Sequence, residues 1–355
     1  MTYIDPRHKV LWHADRISEL QLYGHTTAPV NVEIDLSNRC THGCEWCHFA
    51  YTHSRGPLAR TAQKPAGYED CGDLMDADLA FDIIDQLGDM GVRSITWTGG
   101  GEPTLHPAFK RIIDYAAMSG IPQGIYTHGS NLTGDLPVRL KASMTFVYIS
   151  LDEATADKFY KSKGVNRFEY VVNGISDLAK EPGTATIGVG FLLHSGNVGD
   201  VERMVHLARS LGADYCQFRP VVDYVQDCPG TRLDTEWVDD AIAALAPWQA
   251  DPFVNADLDR FLMYRNWAGH GYTTCNWAAM QTVITPNGKV WACVNRRGHK
   301  GAELGDLTVE RFEDIWYRHG KPCNVGADCR LLCRGHLCNL TLDAVVTKPQ
   351  HEAFI

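Results

Sequence analysis

The feature that most limits the fold of this chain is a regular alternation of apolar runs with amphipathic stretches over residues 30–222. This alternation is typical of βα units, which build a parallel sheet with right-handed crossovers. It predicts six strands, at Val32–Leu36, Ser94–Trp97, Gly124–Thr127, Phe146–Leu151, Ile187–Leu193 and Tyr215–Phe218. Helices are predicted at Ala77–Met90, Pro107–Ser119, Phe168–Lys180 and Gly199–Leu211. Such a sheet, closed or partly closed into a barrel, has its active site at the carboxyl ends of the strands.

The overall composition limits the surroundings in which the chain works. Its 355 residues exceed the roughly 250–300 that one core supports, which predicts a large domain and a smaller one. The net charge of −10 gives no electrostatic reason to expect a nucleic acid as partner. No run approaches the ~18 apolar residues of a membrane span, and the N-terminus lacks the apolar stretch of a signal peptide. We therefore expect a cytoplasmic protein without a membrane partner.

The twelve cysteines are unevenly distributed. Three fall within residues 40–47 and six within residues 275–338, while Cys71, Cys216 and Cys228 lie between the two groups. In a cytosolic protein of this size, metal binding or catalysis explains such clusters better than disulfides do. The distribution predicts two metal regions.

The first group is a C-x3-C-x2-C array, formed by Cys40, Cys44 and Cys47 directly after the first predicted strand. Three thiolates can hold three irons of a cubane cluster and leave the fourth iron open for a ligand. Zinc is the alternative, but it would need a nearby histidine as its fourth ligand. The spacing favours the cluster.

The array resembles that of the radical S-adenosylmethionine (SAM) superfamily, in which an aromatic residue, here Trp46, precedes the third cysteine. The second strand ends in Thr98-Gly-Gly-Gly-Glu-Pro103, which resembles the GGE(P) motif of that family. The resemblance implies a [4Fe–4S] cluster that cleaves SAM reductively to a 5′-deoxyadenosyl radical. It also implies that the backbone of this turn contacts SAM, at Gly100, Gly101 and Glu102.

Other positions resemble the family's SAM contacts less closely. Ser150 and Asp152 resemble a ribose-contacting Ser-x-Asp, although either residue could instead cap the next helix. Thr127 could face SAM or form a local turn. Arg219, at the end of the sixth strand, could reach the carboxylate or adenine of SAM, or could serve the substrate or the surface.

The second cysteine group resembles the SPASM/twitch extension, in which a hairpin and a short helix carry auxiliary [4Fe–4S] clusters. Asn287-Gly288 between two β-type runs independently predicts the hairpin. Gly320 stands where the full pattern has a leading cysteine, so six cysteines cannot supply eight ligands. We favour one auxiliary cluster; two three-coordinate clusters and a four-thiolate zinc site are the alternatives. The preferred ligands are Cys275, Cys293, Cys329 and Cys333, with Cys323 and Cys338 as further candidates.

The predicted fold class is therefore α/β, a partial (β/α)6 TIM-type barrel with a small, cysteine-rich α+β extension. The expected domains are an N-terminal segment at 1–29, the barrel at 30–222, a linker at 223–271 and the auxiliary iron–sulfur domain at 272–355.

The expected function is hydrogen abstraction from a substrate, with electrons from a donor such as flavodoxin or ferredoxin. Oxidation or rearrangement of a small polar metabolite, helped by the auxiliary cluster, is the favoured reaction. The alternatives are a peptide-modifying maturase, modification of a nucleotide or nucleic acid, and a radical epimerase whose hydrogen donor is Cys71, Cys216 or Cys228. A non-enzymatic zinc module would leave the GGGEP turn unexplained.

Overall fold

The computed structural model describes residues 6–64, 67–222, 235–326, 329 and 333–347. Cys228, residues 223–234 of the expected linker and both chain ends lie outside the described residues. The described strands are β1 Asn31–Asp35, β2 Ser94–Thr98, β3 Gln123–Thr127, β4 Phe146–Ser150, β5 Thr186–Leu193, β6 Tyr215–Pro220, β7 Val254–Ala256, β8 Thr274–Cys275, β9 Gln281–Ile284, β10 Lys289–Trp291, β11 Glu303–Asp306 and β12 Cys323–Asn324. The described α-helices are α1 Pro6–Leu11, α2 Ala14–Tyr23, α3 Ala77–Asp89, α4 Phe109–Met118, α5 Leu136–Ser143, α6 Ala156–Lys163, α7 Phe168–Lys180, α8 Val201–Ser210, α9 Val238–Leu245, α10 Leu258–Arg265, α11 Phe312–His319 and α12 His336–Val346.

The six predicted strands form the centre of a largely parallel sheet, in the order β1-β2-β3-β4-β5-β6. Successive side chains alternate between its two faces. One face carries apolar residues such as Ile34 and Val147, which are fully buried beneath the helices in the main hydrophobic core. The opposite face, which we call the lumen face, carries polar and aromatic residues of the same strands. The α/β fold class with a cysteine-rich C-terminal extension is thus confirmed.

The helices begin where short polar side chains can cap them. The carboxylate of Asp76 accepts hydrogen bonds from the backbone N–H groups of Asp78 and Leu79, which starts α3 at the predicted residue. Helix α6, which was not predicted, is capped by the Thr155 hydroxyl. Because Thr155 has this position, the alternative that Ser150 or Asp152 caps the next helix is wrong.

The predicted hairpin joins the barrel sheet directly. Strands β9 and β10 pair antiparallel around a turn in which Gly288 has a φ of 81°, a value that glycine adopts readily. Strand β9 also pairs in parallel with β1, with Asn31 opposite Gln281. The sheet therefore continues from the barrel into the extension.

The N-terminal helices pack on the end of the described chain. Val10, Ile17 and Leu20 form a small core with Met280 and Leu342. None of the helices in the described part of the chain is both long and apolar enough to cross a membrane.

Candidate active site

The loop that carries the first three cysteines leaves β1 and is held by two other elements. The backbone N–H of Gly43 donates to the carbonyl of Lys163, at the end of α6, over 2.8 Å. The imidazole Nε2 of His42 lies 2.8 Å from the hydroxyl of Ser130, just after β3. The position of the loop is thus set by residues far away in the sequence.

The thiols of Cys40, Cys44 and Cys47 line one cavity of about 220 Å³. Burial raises the pKa of all three thiols, that of Cys47 to about 12. They are therefore protonated without metal, and a metal bound by them would have to displace these protons. A soft, three-thiol donor set of this kind fits an iron–sulfur cluster.

A buried ion pair, which sequence reasoning missed, lies in the wall of the same cavity. The carboxylate of Asp152 pairs with the ammonium of Lys163, and its other oxygen accepts the N–H of Leu192 over 3.2 Å. Burial by itself would lower the pKa of Lys163. Asp152 and the thiol of Cys44 outweigh that effect and raise it. Lys163 therefore keeps a positive charge close to the thiol of Cys44.

The backbone at Asp152 is also unusual. Its φ of 60° is the only positive value at a non-glycine residue in the described part of the chain. Such a conformation costs about 1–2 kcal/mol for most residues, though aspartate tolerates it better. Strained residues of this kind cluster at ligand sites.

The glycine-rich turn after β2 packs tightly against the segments that flank the three cysteines on both sides. A Cβ atom on Gly100 would lie 2.0 Å from the Thr52 hydroxyl, and one on Gly101 would lie 2.3 Å from the Arg39 carbonyl oxygen. These two positions require glycine, because any side chain would collide with the neighbouring segments. Gly101 lines the cavity beside the three thiols.

Glu102 joins this turn to the end of β3. Its carboxylate accepts hydrogen bonds from the Thr127 hydroxyl at 2.7 Å, the His128 N–H at 2.8 Å and the Thr104 hydroxyl at 2.6 Å. Burial raises the pKa of Glu102, and these donors oppose the rise. Glu102 lines the cavity, and its hydrogen bonds fix the shape of the cavity wall.

We expect Glu102→Gln to weaken this junction, because the new amide NH₂ group would face donors instead of accepting from them. The unfolding free energy should fall by about 1–3 kcal/mol, and SAM should bind about tenfold more weakly. Thermal unfolding and calorimetric titration with SAM measure the two effects. Glu169→Gln, an exposed change in α7, is the control and should alter neither. Unchanged binding in Glu102→Gln would contradict this role.

The structure brings most of the expected SAM residues to this one cavity. Gly101 and Glu102 of the turn line it, as do Trp46, Thr127, Ser150 and Asp152, whereas Gly100 does not. Thr127 also forms the local turn that was its alternative role, since its hydroxyl accepts the N–H of Gly129 over 3.1 Å. Arg219 does not line the cavity.

Four buried polar atoms in the wall of this cavity lack a hydrogen-bond partner among the described residues. They are the indole Nε1 of Trp46, the Oε2 atom of Glu153, the Nδ1 atom of His42 and the hydroxyl of Ser162. Buried polar groups are normally paired, so these atoms fit a polar ligand such as SAM. His194, which lines the same wall, lies 3.4 Å from the other Glu153 oxygen and was not predicted.

A second cavity, of about 50 Å³, lies in the extension. Cys323 lies directly opposite Cys275 in the β8–β12 pair, which brings these two distant cysteines together. Cys338 is buried in α12 and does not line the cavity. The thiols that do are those of Cys275, Cys293, Cys323, Cys329 and Cys333.

At neither cavity do three cysteine, histidine or acidic side chains of the described residues converge as they would around one metal ion. The irons of a cubane each take a different thiolate, so cluster ligands surround a volume instead of meeting at a point. The spread of the thiols around each cavity is therefore compatible with a cluster.

Ion pairs tie the extension to the lumen face of β1. Arg297, which is fully buried, lies 2.9 Å from Asp35 and 3.5 Å from Glu33. Arg334, next to Cys333, also pairs with Glu33. Burial raises the pKa of Asp35 to about 6, although Arg297 opposes the rise. The acidic residues at alternate positions in the β1 sequence were the signal for this network.

The two scattered cysteines that the structure describes, Cys71 and Cys216, line neither cavity. Cys71 packs in a small core with Val283 and Trp291. Cys216 is on the apolar face of β6, in the main core. A hydrogen donor has to reach the substrate, and neither thiol lines either cavity. Cys228 lies outside the described residues.

Comparisons with known proteins match both regions of the chain. A model of the radical SAM superfamily matches residues 34–208, and a model of the SPASM iron–sulfur cluster-binding domain matches residues 275–338. The mycofactocin maturase MftC of Mycobacterium ulcerans is 30% identical over 297 residues, which cover 81% of this chain and 74% of that protein.

A further relative and one solved structure differ in how much of the chain they cover. A probable GTP 3′,8-cyclase of Metallosphaera sedula is 32% identical over 186 residues, covering 52% of this chain and 53% of that protein. The crystal structure of Streptococcus suis SuiB bound to the precursor peptide SuiA has a TM-score of 0.61 at 16% identity, covering 89% of this chain and 71% of SuiB. This last likeness is one of fold.

Proposed function

We infer the function from one premise: the chain belongs to the radical SAM superfamily and carries a SPASM iron–sulfur domain. It is therefore a radical SAM enzyme that uses SAM and [4Fe–4S] clusters. When bound, the SAM cluster supplies the electron that cleaves SAM to a hydrogen-abstracting 5′-deoxyadenosyl radical. We propose that Cys40, Cys44 and Cys47 ligate this cluster, as their common cavity supports.

The remaining residues of that cavity would bind SAM. We propose that the backbone at Gly101 and the side chains of Ser150 and Asp152 contact it, with Trp46 donating its unpaired indole N–H. Lys163 would offset the negative charge of the thiolates. Water exclusion by this wall would protect the radical from side reactions.

The extension would hold an auxiliary cluster that accepts or relays an electron. We propose that four of the five thiols at the second cavity ligate it. Cys323 becomes as good a candidate as the four preferred ligands, because it lies opposite Cys275. Cys338 becomes a weaker candidate.

We propose that the substrate is a peptide and that the enzyme is a maturase. The observation that carries this proposal is the extent of the matches along the chain. The maturases match 81% of the chain, whereas the GTP cyclases match 52% of it. This favours the peptide alternative over the small polar metabolite that the sequence had favoured.

The test is to incubate holoenzyme, SAM and dithionite without oxygen with short precursor peptides encoded beside the gene. We expect a mass change in one peptide, together with transfer of deuterium from that labelled peptide into 5′-deoxyadenosine. The Cys40/Cys44/Cys47→Ala variant is the control and should give neither. Deuterium transfer from small metabolites but from no peptide would overturn the maturase proposal and restore the metabolite oxidation.

A further inference from the structure

The lumen face of the barrel carries one guanidinium group whose charge is not balanced. Arg219 donates from Nη2 to the hydroxyl of Tyr148 over 2.8 Å, and its guanidinium lies 5.1 Å from the centre of that ring. Its Nε atom is buried without a hydrogen-bond partner. In the described part of the chain, no carboxylate forms an ion pair with it. Burying a guanidinium group costs desolvation free energy, and the uncharged hydroxyl of Tyr148 does not offset that cost.

The other charged groups that the structure describes on this face are paired with one another. Arg297 and Arg334 pair with Asp35 and Glu33. Asp152, with which Arg219 interacts electrostatically, is already paired with Lys163. The acidic side chains that the structure places near Arg219 are therefore already paired with other cations.

Arg219 is held in place by the sheet itself. A Cβ atom on Gly190 would lie 2.2 Å from the Tyr148 hydroxyl, so the glycine makes room for the phenol that holds the guanidinium. Ring contacts continue along this face, with Tyr126 and Tyr148 centred 4.9 Å apart. A held guanidinium keeps its planar donor edge available for an oxyanion.

Arg219 lies next to the cavity of the three thiols of residues 40–47 but does not line it. Its register partner across the sheet, Leu192, lines that cavity, and so does Tyr126, the partner of Tyr148. A group bound at Arg219 would therefore hold the rest of its molecule beside the cavity wall.

We propose that Arg219, held by Tyr148, binds a carboxylate of the substrate and so positions the substrate beside SAM. This inference rests on the proposed function, because the carboxylate is assigned to a peptide. The source would be either the C-terminus of the peptide or an aspartate or glutamate side chain. The assignment differs from a role for Arg219 in binding SAM, which the sequence had suggested.

The experiment uses anaerobic calorimetry on holoenzyme saturated with SAM and without reductant. The probes are acetyl-Ala-Ala with a free C-terminus, its C-terminal amide, and acetyl-Ala-Glu amide. We expect at least one carboxylate probe to bind, and the uncharged amide not to bind. The free C-terminus and the glutamate probe distinguish the two sources. Inorganic phosphate is titrated as well, and binding of phosphate alone would overturn the assignment to a carboxylate.

Variants then locate the site. Arg219→Gln should weaken binding of the carboxylate probe by about 30-fold or more, and Tyr148→Phe should weaken it by a smaller factor. The dissociation constant for SAM should change by less than about threefold in both variants. Arg209→Gln, which changes a surface arginine paired with Asp251 at 2.7 Å, is the matched control and should change neither affinity.

Three results would overturn the proposal: no carboxylate probe binds, Arg219→Gln leaves probe binding intact, or Arg219→Gln weakens SAM binding about as much as probe binding. The last result would indicate that Arg219 binds SAM and not the substrate. The proposed function can fail independently of this carboxylate site. An enzyme that binds carboxylates through Arg219 but modifies no peptide keeps this site and loses the maturase assignment.

Discussion

Replacing Cys40, Cys44 and Cys47 by alanine should reduce 5′-deoxyadenosine formation below detection. Thiolates hold the irons of a cubane, and without them no open iron remains to bind SAM. The iron content should fall by about four atoms per chain, and the remaining iron should report the auxiliary region alone. Anaerobic iron analysis and chromatography of 5′-deoxyadenosine under dithionite measure both effects.

Cys216→Ala is the matched control, because it removes a thiol from the main core and not from a cavity. It should keep the full iron content and SAM cleavage, at a stability cost of about 1 kcal/mol. Persistent SAM cleavage in the triple variant would contradict the assignment of the three ligands. Complete loss of iron would indicate that the auxiliary cluster depends on the first.

The second large effect is expected at the pair of Asp152 and Lys163. Asp152→Asn removes the negative charge while keeping a residue that tolerates a positive φ, so it leaves Lys163 as a buried cation without its partner. Breaking a buried pair from one side costs about 3–5 kcal/mol. We expect the thermal midpoint of the metal-free protein, in which the three neighbouring thiols carry no charge, to fall by at least about 5 °C.

A double change separates the charge from the loss of contacts. Asp152→Asn with Lys163→Met removes both charges and should recover most of the lost stability, because no buried charge remains unpaired. Asp177→Asn, which breaks the exposed pair with Lys180, is the control and should leave the midpoint unchanged. If the double variant is no more stable than Asp152→Asn, the charge is not the cause.

The parts of the fold that were predictable depend on local periodicity. The α3 start at Asp76 and the turn at Gly288 follow from the conformational preferences of a few adjacent residues. Helix α6 was missed because it is short and polar, and such a segment gives no clear amphipathic pattern. The role of its last residue, Lys163, was missed because a lysine in a polar helix is normally exposed.

The sequence by itself determined the family, the parallel strands and the two cysteine groups, because each depends on residue types at short, fixed spacings. Only the tertiary structure decided which distant residues meet. It placed Cys323 opposite Cys275 and paired Asp152 with Lys163. It also left Arg219 on the lumen face, beside the cavity of the three thiols. The physical reason is that contacts and charge balance depend on strand register and burial, which no local spacing contains.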